Sequence, residues 1–119
     1  MGEVHVKIFV VNPRTGAQSG EITAVADTGA TLTVVPGELL RTLGIQKVRT
    51  VSLMLADGRR AQRDVGDAAV SVNGESVPCR VVFGESGDAV LVGLTVLEQA
   101  GLAVDPVQRR LVPTDFLLY

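Results

Sequence analysis

A chain of 119 residues, 46% apolar but only 3% aromatic and without Trp, can bury one core and must fill it with Val, Leu and Ala. The net charge of −2 has no long run of either sign, so no basic surface calls for nucleic acid or an anionic membrane. One Cys and one His exclude an intrachain disulfide and argue against a zinc site, a His-based metal cluster or a Ser-His-Asp triad. No metal or cofactor is expected. The N-terminal "MGEVHVKIFVV" lacks a basic flank leading into an apolar signal core, and no apolar run approaches the roughly 20 residues that cross a bilayer. The expectation is a soluble, cytoplasmic protein forming a single domain over 1–119.

Along the chain, "VHVKIFVV" (4–11) alternates Val4, Val6, Ile8 and Val10 against His5 and Lys7, as a half-buried strand does. "NPRTG" (12–16) is turn chemistry, and "GEITAVA" (20–26) returns as a second strand. In "PGELLRTLG", Pro36 suits a helix start, Leu39, Leu40 and Leu43 share a face, and Gly44 can end the helix in the left-handed region. Val51, Leu53 and Leu55 then alternate toward Asp57-Gly58, a hairpin signal with arms near 53–66. Ala68, Val70 and Val72 lead to a second turn at Asn73-Gly74, and Val77, Cys79, Val81 and Phe83 alternate back. After the loop "GESGD" (84–88), "AVLVG" (89–93) reads as a short strand buried on both faces. "TVLEQAG" is a compact helix in which Thr95 and Glu98 have capping-box spacing and Gly101 closes the end. "LAVDPVQRRLVP" reads as strand, Asp-Pro turn, strand. Short strands, Gly-bearing turns and one or two short helices predict a mostly-β, all-β class barrel or sandwich.

One carboxylate interrupts the apolar stretch "VADTGATLTVVP" (25–36). An Asp after a strand ordinarily forms a turn or caps a helix. Here Ala24, Val25 and Ala26 precede Asp27, and Ala30, Leu32, Val34 and Val35 follow it. Such flanks predict a desolvated site, and a buried carboxylate is costly without a partner. Gly29 and Ala30 leave space for another backbone to approach. Phosphoryl-transfer chemistry on a related motif needs a second Asp two residues away, or phosphate and metal motifs that this chain lacks. The remaining chemistry is a pair of carboxylates sharing one proton, since two held about 3 Å apart cannot both ionise. A chain with one such motif would need a second chain to supply the second Asp.

"VADTGAT" followed about 60 residues later by "VLVGLTVLEQAGL" resembles the single-domain retropepsin-like aspartic proteases, a family spanning retroviral enzymes and cellular or microbial relatives. The resemblance covers roughly residues 4–113. It implies a closed, homodimeric β-barrel and an endopeptidase that hydrolyses peptide or protein substrates by general acid–base activation of water. It implies further that Asp27 is catalytic, that Thr28 braces the two loops across the two-fold axis, and that Gly29 and Ala30 lie beside the scissile bond. Leu91, Val92 and Gly93 match the apolar strand and glycine behind that loop. Ala56, Asp57, Gly58 and Arg59 fall at the tip of a substrate-covering flap, and the apolar tail "TDFLLY" suits an interleaved dimer terminus. The "PGELLRTLG" helix is an addition relative to the minimal viral enzymes, and the tip "ADGRRAQ" lacks their glycine-rich character.

Other candidates read more plainly. Cys79 is a small buried hydrophobe, His5 a solvated strand residue, Leu97 and Leu102 core, and Asp105 a turn former. Arg59 and Arg60 either solubilise the hairpin tip or meet substrate. Two rivals to a protease are a peptide-binding or dimerisation module of the same fold with little catalysis, and a monomeric β-domain whose Asp27 only caps a turn.

Overall fold

The computed structural model describes residues 3–116. The elements follow as β1 (His5–Val11), β2 (Ile22–Asp27), β3 (Thr33–Pro36), α1 (Gly37–Thr42), β4 (Lys47–Met54), β5 (Arg60–Val72), β6 (Glu75–Gly84), β7 (Leu91–Gly93), α2 (Leu94–Gln99), β8 (Leu102–Asp105) and β9 (Arg110–Pro113). The protein is mostly β, as its patterning predicts. No helix among the described residues is long and apolar enough to cross a membrane.

Period-2 alternation does what side-chain geometry requires. Val4, Val6, Ile8 and Val10 are buried, while His5 and Lys7 face solvent. β1 pairs antiparallel with β2 through His5–Ile8, and with β5 through Ile8–Val11. Ile8 takes part in both ladders and is fully buried. The seven strands β1 to β7 form one sheet in the order β1-β2-β7-β3-β6-β5-β4, and β8 and β9 form a separate two-stranded ladder.

Two of the hairpins expected from the sequence share one strand. β5 runs for 13 residues, pairing with β4 through Arg60–Gly66 and with β6 through Val65–Val72. At Asn73-Gly74 both residues have positive φ (50° and 82°), which the tight reversal between β5 and β6 requires. Gly66 marks the place where β4 separates from the body. A Cβ there would lie 2.6 Å from the Gln46 carbonyl oxygen and 3.1 Å from Ile45 and Phe83, so only glycine allows the crossing. Beyond it, no residue of β4 is buried, and the β4–β5 hairpin projects as an exposed ribbon.

The structure corrects the sequence reading in two elements. β3 was not anticipated, because its four residues follow directly on the Asp27 turn and run without a break into α1. The capping box at Thr95 and Glu98 does not form: α2 begins at Leu94 with Gly93 as its cap, and no side chain caps it. Thr95 therefore lies inside the helix, and its hydroxyl donates to the Thr31 carbonyl (2.7 Å). The α1 reading holds, with Leu40 and Leu43 buried, Leu39 half-buried and Gly44 at φ +79°. The strand–turn–strand of 102–113 holds as well, with Asp105 Oδ1 accepting the N–H groups of Val107 and Gln108.

Candidate active site

β7 lies between β2 and β3, parallel to the first and antiparallel to the second. The segment joining β2 to β3, residues 28–32, must therefore pass over the end of β7, and Asp27 stands where it departs. Asp27 is the last residue of β2 and is in register with Gly93, the last of β7. Leu91, Val92 and Gly93 run alongside Val25, Ala26 and Asp27, the end of β2 that leads into the turn. Val92 and Gly93 are buried and Leu91 is half-buried.

Gly93 has a steric reason to be glycine. A Cβ there would sit 2.5 Å from the Leu32 carbonyl oxygen and 2.9 Å from that of Ala30. Four hydrogen bonds then fix the turn to the β7–α2 junction. The Gly93 N–H donates to the Thr33 hydroxyl (3.0 Å), and the Leu94 N–H to the Ala30 carbonyl (2.7 Å). Thr95 donates to the Thr31 carbonyl through its N–H (3.3 Å) and through its hydroxyl. Thr33 and Thr95 thus tie the Asp27 turn to the β7–α2 junction, a part that sequence reasoning did not give them. The period-2 burial of Thr33 beside Val35 carried a signal, since a hydroxyl on a core-facing strand position needs a partner.

The Asp27 carboxylate accepts the Gly29 N–H through Oδ1 (2.8 Å), and the Asp27 carbonyl accepts the Ala30 N–H (3.2 Å). This short-range turn is the local conformation an Asp-x-Gly favours. Asp27 is only half-buried, and Thr28 and Gly29 are exposed. The expectation of a desolvated carboxylate is therefore corrected for the single chain. Apolar flanks drive Ala24, Ala26, Thr33 and Val35 into the core, but Asp27 leaves the sheet at its end and remains accessible. Thr28, Gly29 and Ala30 follow it on the same surface turn.

The hairpin tip is closed by the Gly58 N–H donating to the Leu55 carbonyl and the Leu55 N–H to the Arg59 carbonyl, with Gly58 at φ +88°. Ala56, Asp57, Gly58 and Arg59 are all exposed. The Arg59 guanidinium and N–H both donate to Asp57, which holds that carboxyl below the usual carboxylate range. Arg59 thus neutralises its own turn. Cys79 is half-buried and desolvation pushes its thiol up to about 11, consistent with a packing role and not with a nucleophile. His5 is exposed beside Glu3. Residues 117–119 of the tail lie outside the described residues; Thr114 N–H donates to the Gly101 carbonyl.

A half-buried carboxylate on a rigidly supported turn, flanked by exposed Thr and Gly, can act on an approaching group or meet a like surface. A cleft of about 530 Å³ opens elsewhere, between the β3–α1 junction and the β6–β7 loop, and its lining does not include Asp27. A family model described as gag-polyprotein putative aspartyl protease matches residues 15–99, which takes in the Asp27 turn, the β4–β5 hairpin and β7. No curated protein matches the chain.

Proposed function

The chain belongs to the gag-polyprotein aspartyl protease family, and from that premise we propose that it is an aspartic endopeptidase whose active site forms when two copies bring their Asp27 turns together. The observation that carries this reading is the single carboxylate at the end of β2, held on a braced turn yet accessible. A shared-proton pair needs two carboxylates about 3 Å apart, a behaviour for which aspartic proteases are the established example. One chain brings one. In the dimer the second protomer supplies both the partner acid and the enclosure that the isolated turn lacks.

One carboxylate then takes a proton from water as the other protonates the peptide carbonyl, so the water adds without a covalent enzyme intermediate. Thr28 braces the paired turns through its hydroxyl, and Gly29 and Ala30 line the substrate backbone. The exposed β4–β5 hairpin serves as the flap, with Ala56, Asp57, Gly58 and Arg59 at its tip. A closed barrel is part of the same proposal: the pairings β1–β2, β2–β7, β7–β3, β3–β6, β6–β5 and β5–β1 return to their starting strand.

Purified protein incubated with a mixed peptide library between acid and neutral pH should show cleavage that Asp27→Asn abolishes while its circular dichroism is unchanged. Sedimentation of the same samples should show a dimer at micromolar concentration. Cleavage that persists in the variant, or a strict monomer that still cleaves, sinks the mechanism. A dimer that binds peptides without turnover would instead be a binding module.

A further inference from the structure

The β4–β5 ribbon presents a mechanical problem. A two-stranded hairpin is marginal by itself in water, and β4 buries none of its residues. Most of its polar side-chain contacts are internal: Thr50 hydroxyl to Asp64 (2.7 Å), Lys47 to Asp64 (3.6 Å) and Arg59 to Asp57. Among the described residues, the hydrogen bonds and ion pairs that leave side chains 47–64 for the rest of the molecule all belong to Arg63.

Arg63 reaches Asp88 in a fork, Nε to Oδ2 at 2.8 Å and Nη2 to Oδ1 at 3.0 Å, with Glu85 3.5 Å away. The Arg63 side chain is 14% exposed and that of Asp88 24%, the two most shielded partners of any ion pair described. Asp88 is itself fixed. Its Oδ2 accepts the Glu85 N–H (2.7 Å), and its own N–H donates to the Glu85 carbonyl (2.9 Å). Two residues later the Val90 carbonyl accepts the N–H of Val25, on the strand that ends in Asp27, and β7 follows at once. A bidentate, charge-assisted pair has both strength and a fixed geometry. One end stands on the ribbon and the other on the loop feeding the support of the Asp27 turn.

We propose that Arg63 and Asp88 form a clamp that sets the position of the β4–β5 hairpin relative to the Asp27 turn, so that substrate affinity depends on the pair. The dependence on substrate rests on the protease reading; the clamp itself does not. Arg63 and Asp88 are positioning residues, and neither touches the reacting atoms.

Amide hydrogen exchange tests the clamp directly. In Arg63→Gln and in Asp88→Asn, amides of 49–61 should exchange about tenfold faster than in the parent, the effect of losing one charge-assisted pair, while β1 and β6 amides stay unchanged. Arg63→Lys keeps the charge without the fork and should fall between. In the peptidase assay KM should rise several-fold with kcat less affected. Hairpin exchange unaltered in both variants overturns the clamp. Faster hairpin exchange with an unaltered KM overturns its role in substrate positioning. If the parent cleaves no peptide, the protease reading fails and the exchange data still decide the clamp.

Discussion

The hydroxyl of Thr33, 1% exposed, accepts the N–H of Gly93 at 3.0 Å, which gives the residue opposite Asp27 its hydrogen-bond partner inside the protein. Val in its place would keep the shape and remove the acceptor. A buried N–H left without a partner costs about 1–3 kcal/mol, so Thr33→Val should lower unfolding free energy in urea by that amount, and Thr33→Ser should recover most of it. A loss in Thr33→Ser as large as in Thr33→Val would mean that the methyl group matters and the hydrogen bond does not. The residue scale also separates Asp27 from Gly93. The carboxylate is tied locally to Gly29, whereas the glycine is constrained by Ala30 and Leu32, two residues of the turn it supports.

Helix α1 spans six residues, too few to persist alone. Tertiary anchors hold it. Leu40 is fully buried, Leu43 is 8% exposed, and the side-chain amide of buried Asn12 donates to the Leu43 carbonyl just beyond the helix end (2.9 Å). Leu40→Ala removes a core side chain from an element with little stability of its own, and should cost about 2–5 kcal/mol in chemical denaturation. A cost under about 1 kcal/mol would show that the site collapses around the smaller side chain. The β4–β5 ribbon is the opposite kind of element. It keeps its own ladder and turn, and joins the body through its shared strand, the close crossing at Gly66 and the Arg63 fork.

For the molecule as a whole, that fork makes an acid-sensitive contribution to stability. Hydrogen bonding from Arg63 holds the Asp88 carboxyl below the usual carboxylate range, against a smaller opposing effect of desolvation. A carboxyl depressed in the folded state adds stability above its unfolded value and loses it as pH falls through the folded value. The window is thus below about pH 4, where protonation of Asp88 removes the charge that the Arg63 fork pairs with. Urea midpoints of the parent should fall through this window more steeply than those of Asp88→Asn, which starts lower at neutral pH and converges with the parent in acid. Parallel profiles would remove Asp88 from the acid response. The effect is modest, because the side chain remains partly solvated.

Local pattern is enough to place the strands whose alternation repeats often enough to be read: β1, the β5–β6 hairpin with Asn73-Gly74, the Asp57-Gly58 reversal and the 102–113 ladder. It also marked Asp27 and the Leu91-Val92-Gly93 triplet, because a carboxylate in an apolar run and a glycine after one are local departures from pattern. Tertiary structure alone decided what lies between them. The insertion of β7 between β2 and β3 joins segments about 60 residues apart, and no local period encodes it. The same is true of the hydroxyls of Thr33 and Thr95, whose partners are distant in the chain, and of the Arg63–Asp88 fork, in which each residue alone reads as a solvated charge. The accessibility of Asp27 departs from its flanking pattern for a related reason. Flanking hydrophobicity describes which neighbours enter the core, while exposure depends on where the strand ends relative to the sheet.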